Sequence, residues 1–315
     1  MARADAGDVL GTYLRSQATV FLRALRLHDE GAAGGADAAG GIDAARGLRG
    51  AARRISGSLA TFRVVTESSW ADSLRTELVW LSSTLADEHA YAARLVRLLD
   101  ALHRLSGTPE VPAPRGGAGA LTVGSARAGA LLERQLTLAR TRAHSATLQA
   151  LGSARFHAVA DAVAVLASEV PLDAVAARGR VAEVLVPLAE VAETRLSAAV
   201  AALPPAEEEH PYNADRDGLW HEVRRLLRVH RYAQEALGAD VTRLELAGEA
   251  LDRHRDAAEA AGASATAART PRIAPATAYA LGVLHADQRH EAEAARLAFR
   301  HVWLPAPVPS GVTSR

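Results

Sequence analysis

The sequence predicts an all-α fold, and two observations carry that expectation. Apolar residues recur in steps of three and four along most of the chain, the spacing of one face of an α-helix. Ala and Leu dominate the apolar residues while aromatics make up only 4%, whereas β-sheets draw on Val, Ile, Tyr and Phe. No segment offers a β-sheet a home.

Each element follows from this periodicity. A first helix is expected over about 9–27, with Leu10, Tyr13, Leu14, Phe21 and Leu25 on its apolar side. The Gly/Ala stretch 29–41 reads as a flexible insertion. A second helix, about 42–62, carries the core stripe Ala45, Leu48, Ala52, Ile55, Leu59 and Phe62. A third, about 69–105, runs into the Pro/Gly break GTPEVPAPRGGAGA. Further helices are expected over about 125–151, through FHAVADAVAVLASEV, and through DAVAARGRVAEVLVPLAEVAETRLSAAVAAL. The linker PPAEEEHPYNADRDG follows, its acidic run read as a solvated one. The last three helices are expected over about 219–237, 239–261 and 277–303, the final two separated by GASATAARTPRIAPA. Residues 304–315 have the Pro/Ser/Gly character of a disordered end.

Two segments stand out by their charge. In the second helix Arg46, Arg49, Arg53 and Ser56 recur in steps of three, four and three, and so do His221, Arg224, Arg228 and Arg231 in the seventh. Such steps line the side chains along one helix face, where like charges repel by roughly 0.2–0.5 kcal/mol per exposed pair. Each stripe sits one residue round from the core stripe: Arg49 follows Leu48, Arg53 follows Ala52, Arg224 follows Val223 and Arg228 follows Leu227. The arginines therefore flank a packed interface, where their planar forks suit successive phosphate oxygens. Residues 45–63 hold five Arg and no Asp or Glu, so these charges lack local partners. The competing reading is salt bridging to acids on adjacent helices. Each arginine helix is followed by one with a similar phrase, LADEHAYAARL and then LDRHRDAAEAA. The chain thus reads as two related helical bundles, about 9–151 and 152–303.

Composition excludes several alternatives. There is no cysteine, so disulfides and thiolate chemistry are ruled out. Basic and acidic residues balance at 36 each, and every basic residue is Arg. That neutrality argues against a generic nucleic-acid binder, and the few aromatics argue against a single-strand stacking platform. No apolar run reaches membrane-spanning length, and the start MARADAGD lacks a signal core, so a cytoplasmic protein without membrane partners is expected. The 12 histidines show no i, i+4 pair with an acid, so no metal site is expected. No nucleophile–base pair or phosphate loop nominates a catalyst, and no cofactor is implied. Arg134, Arg140 and Arg155, with Arg142, His144 and His157, are candidates for a further basic wall or for plain surface.

The order of these phrases resembles the CHAD domain family, named for its histidines on an α-helical scaffold. His221, Arg224, Arg225, Arg228, Arg231 and Tyr232 are similar to its H-x-x-R-K-x-x-K-x-x-R-Y phrase, with Glu235 at a position often acidic. LDRHRD resembles its L-G-x-x-R/Q-D element. The first half departs: Arg46 stands at the histidine position, Arg49, Arg53 and Arg54 keep the basic pattern, Ser56 replaces an Arg, and His89-Ala90 replaces Arg-Asp. The resemblance spans about 9–303. It implies two four-helix bundles in pseudo-two-fold arrangement and a basic groove at their seam. It also implies non-catalytic binding of inorganic polyphosphate by Arg46, Arg49, Arg53, Arg54, His221, Arg224, Arg225, Arg228, Arg231 and Tyr232, and association with polyphosphate granules. The alternative expectation is a degenerate helical scaffold for a protein partner, which the altered first half favours.

Overall fold

The computed structural model describes residues 4–34, 38–107, 117–205 and 214–304. Within them the chain forms nine α-helices: α1 (Ala6–Gly34), α2 (Ala38–Thr61), α3 (Ser68–Ser106), α4 (Gly117–Leu151), α5 (Ala154–Ser168), α6 (Val181–Ala201), α7 (Asp217–Ala236), α8 (Thr242–Ala268) and α9 (Pro275–Trp303). Two isolated bridges, Asp5 to Arg180 and Thr66 to Leu172, are the only β-pairing among the described residues. No single described helix is long and apolar enough to cross a membrane.

Helix ends follow local chemistry. Glu67 caps α3 by accepting from the backbone N–H of Ser69 (3.1 Å) and Trp70 (2.6 Å). Ser153 caps α5 through the N–H of Phe156. At the end of α7, Gly238 takes φ 69°, and the N–H of Ala239 reaches back to the carbonyl of Gln234 at 3.0 Å. The left-handed residue and that return bond close the helix.

Several helices outrun the expected ends, for one reason. α1 continues beyond Leu27 to Gly34, and α2 begins at Ala38 rather than Ile42. The Gly/Ala stretch expected to interrupt the chain is therefore helical at 29–34 and 38–41, while 35–37 lie outside the described residues. Likewise α4 begins at Gly117, and α8 carries GASATAA to Ala268. Ala is the strongest helix former, and in these stretches it outweighs the glycines. By contrast α6 starts late, at Val181, after a 3₁₀ turn over Ala176–Arg178. The expected tail lies outside the described residues from 305 onward.

Three apolar clusters position the helices. The first joins Leu10, Leu14 and Phe21 of α1 to Ile55 and Leu59 of α2, Leu78 of α3, Val163 of α5, Leu185 of α6 and Ala233 of α7. The second joins the far half of α3 (Leu98, Leu102) to Leu132 of α4, Ala260 of α8 and Leu284 of α9. The third gathers Leu196 of α6, Trp220, Val223 and Leu227 of α7, Leu251 of α8 and Phe299 of α9. Apolar packing thus runs across position 151. The helix that follows each arginine helix, α3 or α8, serves two clusters, one with each half. At 39 residues, α3 is roughly 58 Å long, ample to bridge them.

Candidate functional site

Where the clusters meet, α2 approaches α7 and α8, and charge replaces apolar packing. Contact begins at Gly57, where a Cβ would lie 2.7 Å from Cδ2 of Tyr232. The bare backbone lets the Tyr232 ring, only 3% exposed, lie against α2. Gly57→Ala is expected to push that ring aside and cost about 1–3 kcal/mol, read as a lowered midpoint in thermal unfolding.

From this contact the stripes face one another in the expected phase. Leu48 and Ala52 of α2 and Val223 and Leu227 of α7 are buried, which leaves Arg49, Arg53, Arg224 and Arg228 half-buried at the seam. α8 contributes a further cation, Arg255, and the carboxylate of Asp252. Asp252 accepts from Arg224 Nε and, at 2.8 Å, from Arg228 Nη2. Arg255 is held by Asp256, with its Nε 2.9 Å from Oδ1.

Five guanidiniums gather around Asp252, and the titration of Arg49, Arg53 and Arg224 records the crowding. Burial first, then Arg255, Arg228 and Arg224, push Arg49 below the usual arginine value. Burial, and then Arg228 and Arg49, bring Arg53 down to about 10. Arg224 falls to about 10 through burial and then Arg228, against the pull of Asp252. Buried Nε of Arg49 and Arg53, and Nη2 of Arg224, have no hydrogen-bond partner among the described residues. A buried donor left unpaired costs about 1–3 kcal/mol. Beside them opens a cleft of about 290 Å³, with Arg53, Arg228 and Arg231 on one side and Glu245, Glu249 and Asp252 on the other.

The remaining predicted residues divide. Arg54 and Arg231 turn to Glu235, which accepts from Arg54 Nε at 2.8 Å and from the Tyr13 hydroxyl at 2.9 Å, and faces Arg231 Nε across 3.2 Å. Both guanidiniums also lie over the Tyr232 ring, 5.6 and 5.3 Å from its centroid. This knot ties α1, α2 and α7 together, so salt bridging accounts for Arg54. Arg225 points outward to Glu222, 2.8 Å away. Arg46 is exposed and bonded to Asp43 at 2.5 Å. His221 lies at the α7 end of the seam, its ring 5.6 Å from that of His254, and burial followed by Arg224 lowers its pKa. His89 of α3 is lowered in the same way by burial, Arg46 and Arg49.

The further basic wall does not assemble as one surface. Arg155 pairs with Glu77 at 2.6 Å and lies 4.1 Å over the Trp80 ring, on the α3–α5 face. Arg134 is exposed on α4. Arg140 and His144 instead line a second cavity with Arg46 and Arg49.

Sequence reasoning did not single out Asp252, Arg255 as a seam cation, or Asp217. Asp217, in the first turn of α7, accepts from Arg289 (2.6 Å) and Arg296 and faces His254 Nε2 at 3.4 Å. Burial alone would raise its pKa, yet the facing His254 and the hydrogen bonds from Arg289 hold it well below the carboxylate range. The signal was available: Arg289 and Arg296, seven apart on the Ala-lined inner face of α9, are each only 1% exposed. Among the described residues no three His, Asp or Glu side chains gather as a metal site would need.

Fold and seam together define an all-helical protein in which arginines of α2 and α7 face carboxylates of α8 across a cleft. The chain belongs to the CHAD domain family, whose model matches residues 16–263. Among solved structures it is similar to PptA from Streptomyces chartreusis, at 58% identity and TM-score 0.81, covering 95% of this chain and 99% of that one. It also shares its fold with the CHAD domain from the plant Ricinus communis, at 20% identity and TM-score 0.59, over 98% of this chain and 95% of that one. A search of curated proteins gave no significant match.

Proposed function

We propose that this protein binds inorganic polyphosphate along the α2–α7–α8 seam without turning it over. One observation carries the reading: of five half-buried guanidiniums around Asp252 only Arg224 and Arg228 pair with it, and Arg49, Arg53 and Arg224 keep buried N–H groups without partners. A polyanion laid along the cleft relieves the repulsion among these charges. From Arg224 to Arg231 the stripe spans roughly 10 Å of helix, more than one phosphate can reach but within reach of a chain of them. Membership of a family associated with polyphosphate supports the same ligand, and a place at cytoplasmic polyphosphate granules follows from it. The working set is Arg49, Arg53, Arg224, Arg228 and Arg255, flanked by His221 and His89. Arg54 and Tyr232 build the floor, Arg231 joins floor to cleft, and Arg225 stands outside.

Titration calorimetry with long-chain polyphosphate at two salt concentrations tests this. Binding is expected to weaken steeply with salt, as counterion release demands of a linear polyanion. No binding at low salt overturns the proposal and favours the protein-scaffold reading.

A further inference from the structure

A second cavity, about 360 Å³, opens between α1, α2, α3 and α4 on the other side of Arg49. Its volume lies within the range of small-molecule sites, about 300–1,000 Å³, and its lining is of mixed character. Leu85, Ala92 and Leu148 form an apolar wall, while Arg46, Arg49 and Arg140 supply cations. An inorganic polyanion gains nothing from that wall, and a purely apolar ligand gains nothing from three guanidiniums. The lining suits one molecule with a flat, partly apolar body and an anionic tail.

The polar groups sharpen this. Glu88 is the cavity's one carboxylate, half-buried, with His144 Nδ1 3.0 Å from its Oε2. A carboxylate set in a basic pocket is an acceptor for an exocyclic amino group on a ligand. Arg49 belongs to this cavity and also to the seam, where its charge meets those of Arg224, Arg228 and Arg255. His89, on the same wall, is coupled to Arg49 and Arg255. A tail that leaves the cavity past Arg49 therefore enters the polyphosphate path.

We propose that this cavity binds the nucleoside of a nucleoside polyphosphate, with the base against Leu85, Ala92 and Leu148 and the phosphates on Arg46 and Arg49. The inference rests on the seam's being a phosphate site. Such a ligand competes with polyphosphate for Arg49, so nucleotide level sets how much polyphosphate the protein holds.

The test is parallel calorimetry of the full chain with ATP and with inorganic triphosphate, without added metal. ATP is expected to bind at least about tenfold tighter, since burial of the nucleoside adds to shared phosphate contacts. In Leu148→Asn, an uncharged change on an exposed wall position, that advantage is expected to vanish while triphosphate affinity stays the same. Circular dichroism checks that the variant is folded. Equal affinity of the two ligands in the wild-type protein overturns this inference and leaves the polyphosphate reading intact. An ATP advantage that survives Leu148→Asn also overturns it, because the nucleoside then sits elsewhere. Failure of ATP to bind overturns it as well, and long-chain polyphosphate titrated in the same assay then shows whether the polyphosphate reading stands.

Discussion

Arg53→Met combined with Arg228→Met is expected to weaken polyphosphate binding severely while making the protein more stable. The two effects share a cause. Arg53 is half-buried with a buried, unpartnered Nε beside Arg228 and Arg49, so its charged form is disfavoured in the fold and its pKa is lowered to about 10. The sign is that of a base with a depressed value. Below about pH 10 the group is charged in both folded and unfolded chains, and the fold bears the whole penalty. Stability recovers only as pH climbs from there toward the ordinary arginine range. At neutral pH the penalty is therefore complete. Met keeps the apolar stem that packs beside Ala52 and Leu227 and removes the charge. Asp252 retains Arg224 in the double variant, so no acid is stranded. Removing Arg53's unpaired donor and both repulsions is expected to add about 1 kcal/mol. Losing two charge-assisted contacts of about 1.5–3 kcal/mol each is expected to weaken polyphosphate binding at least about 100-fold. Thermal unfolding and calorimetry on the same sample read both quantities. A lower melting point with retained binding would show that these arginines serve the fold.

How much of this was legible beforehand depended on whether the determinant was local. The phase of the stripes was legible, because Val223 beside Arg224 and Leu227 beside Arg228 obey a single helix's geometry, and both apolar members are buried. The partner of Arg54 was not, because Glu235 lies 181 positions away and only the α2–α7 crossing brings them together. Arg54 and Arg53 are neighbours in sequence with the same chemistry, yet one meets an acid and the other does not. Asp252 and Arg255 escaped notice because α8 carries mixed charges without a one-signed line. The same limit explains Arg155, whose engagement with Glu77 and Trp80 depends on how α5 lies on α3. Gly-rich composition did not foretell the helix at 29–34 and 38–41, where the alanines outweigh the glycines.

Glu235→Ala is expected to be the most destabilising single change near the seam, and polyphosphate is expected to repair part of it. The carboxylate is only 14% exposed and receives Arg54 and Arg231, themselves 31% and 19% exposed. It also receives the Tyr13 hydroxyl, the sole tie of this kind from α1 among the described hydrogen bonds to Glu235. Removing the acid strands two half-buried cations against the Tyr232 ring, and breaking such a pair from one side costs about 3–5 kcal/mol. Glu235→Gln keeps the shape and an acceptor oxygen but loses the charge, so its cost is expected to be smaller. The same variants release Arg54 and Arg231 toward a seam already short of acceptors. A bound polyanion then has two more cations to neutralise. Because a ligand that binds only the folded chain raises stability with its concentration, polyphosphate is expected to raise the melting point of Glu235→Ala by more than that of the wild type. Melting curves with and without polyphosphate for the two variants measure this. If Glu235→Ala melts with the wild type, the knot contributes nothing to the fold. If it melts early and polyphosphate restores no more than it adds to the wild type, Arg54 and Arg231 are fixed floor rather than latent wall.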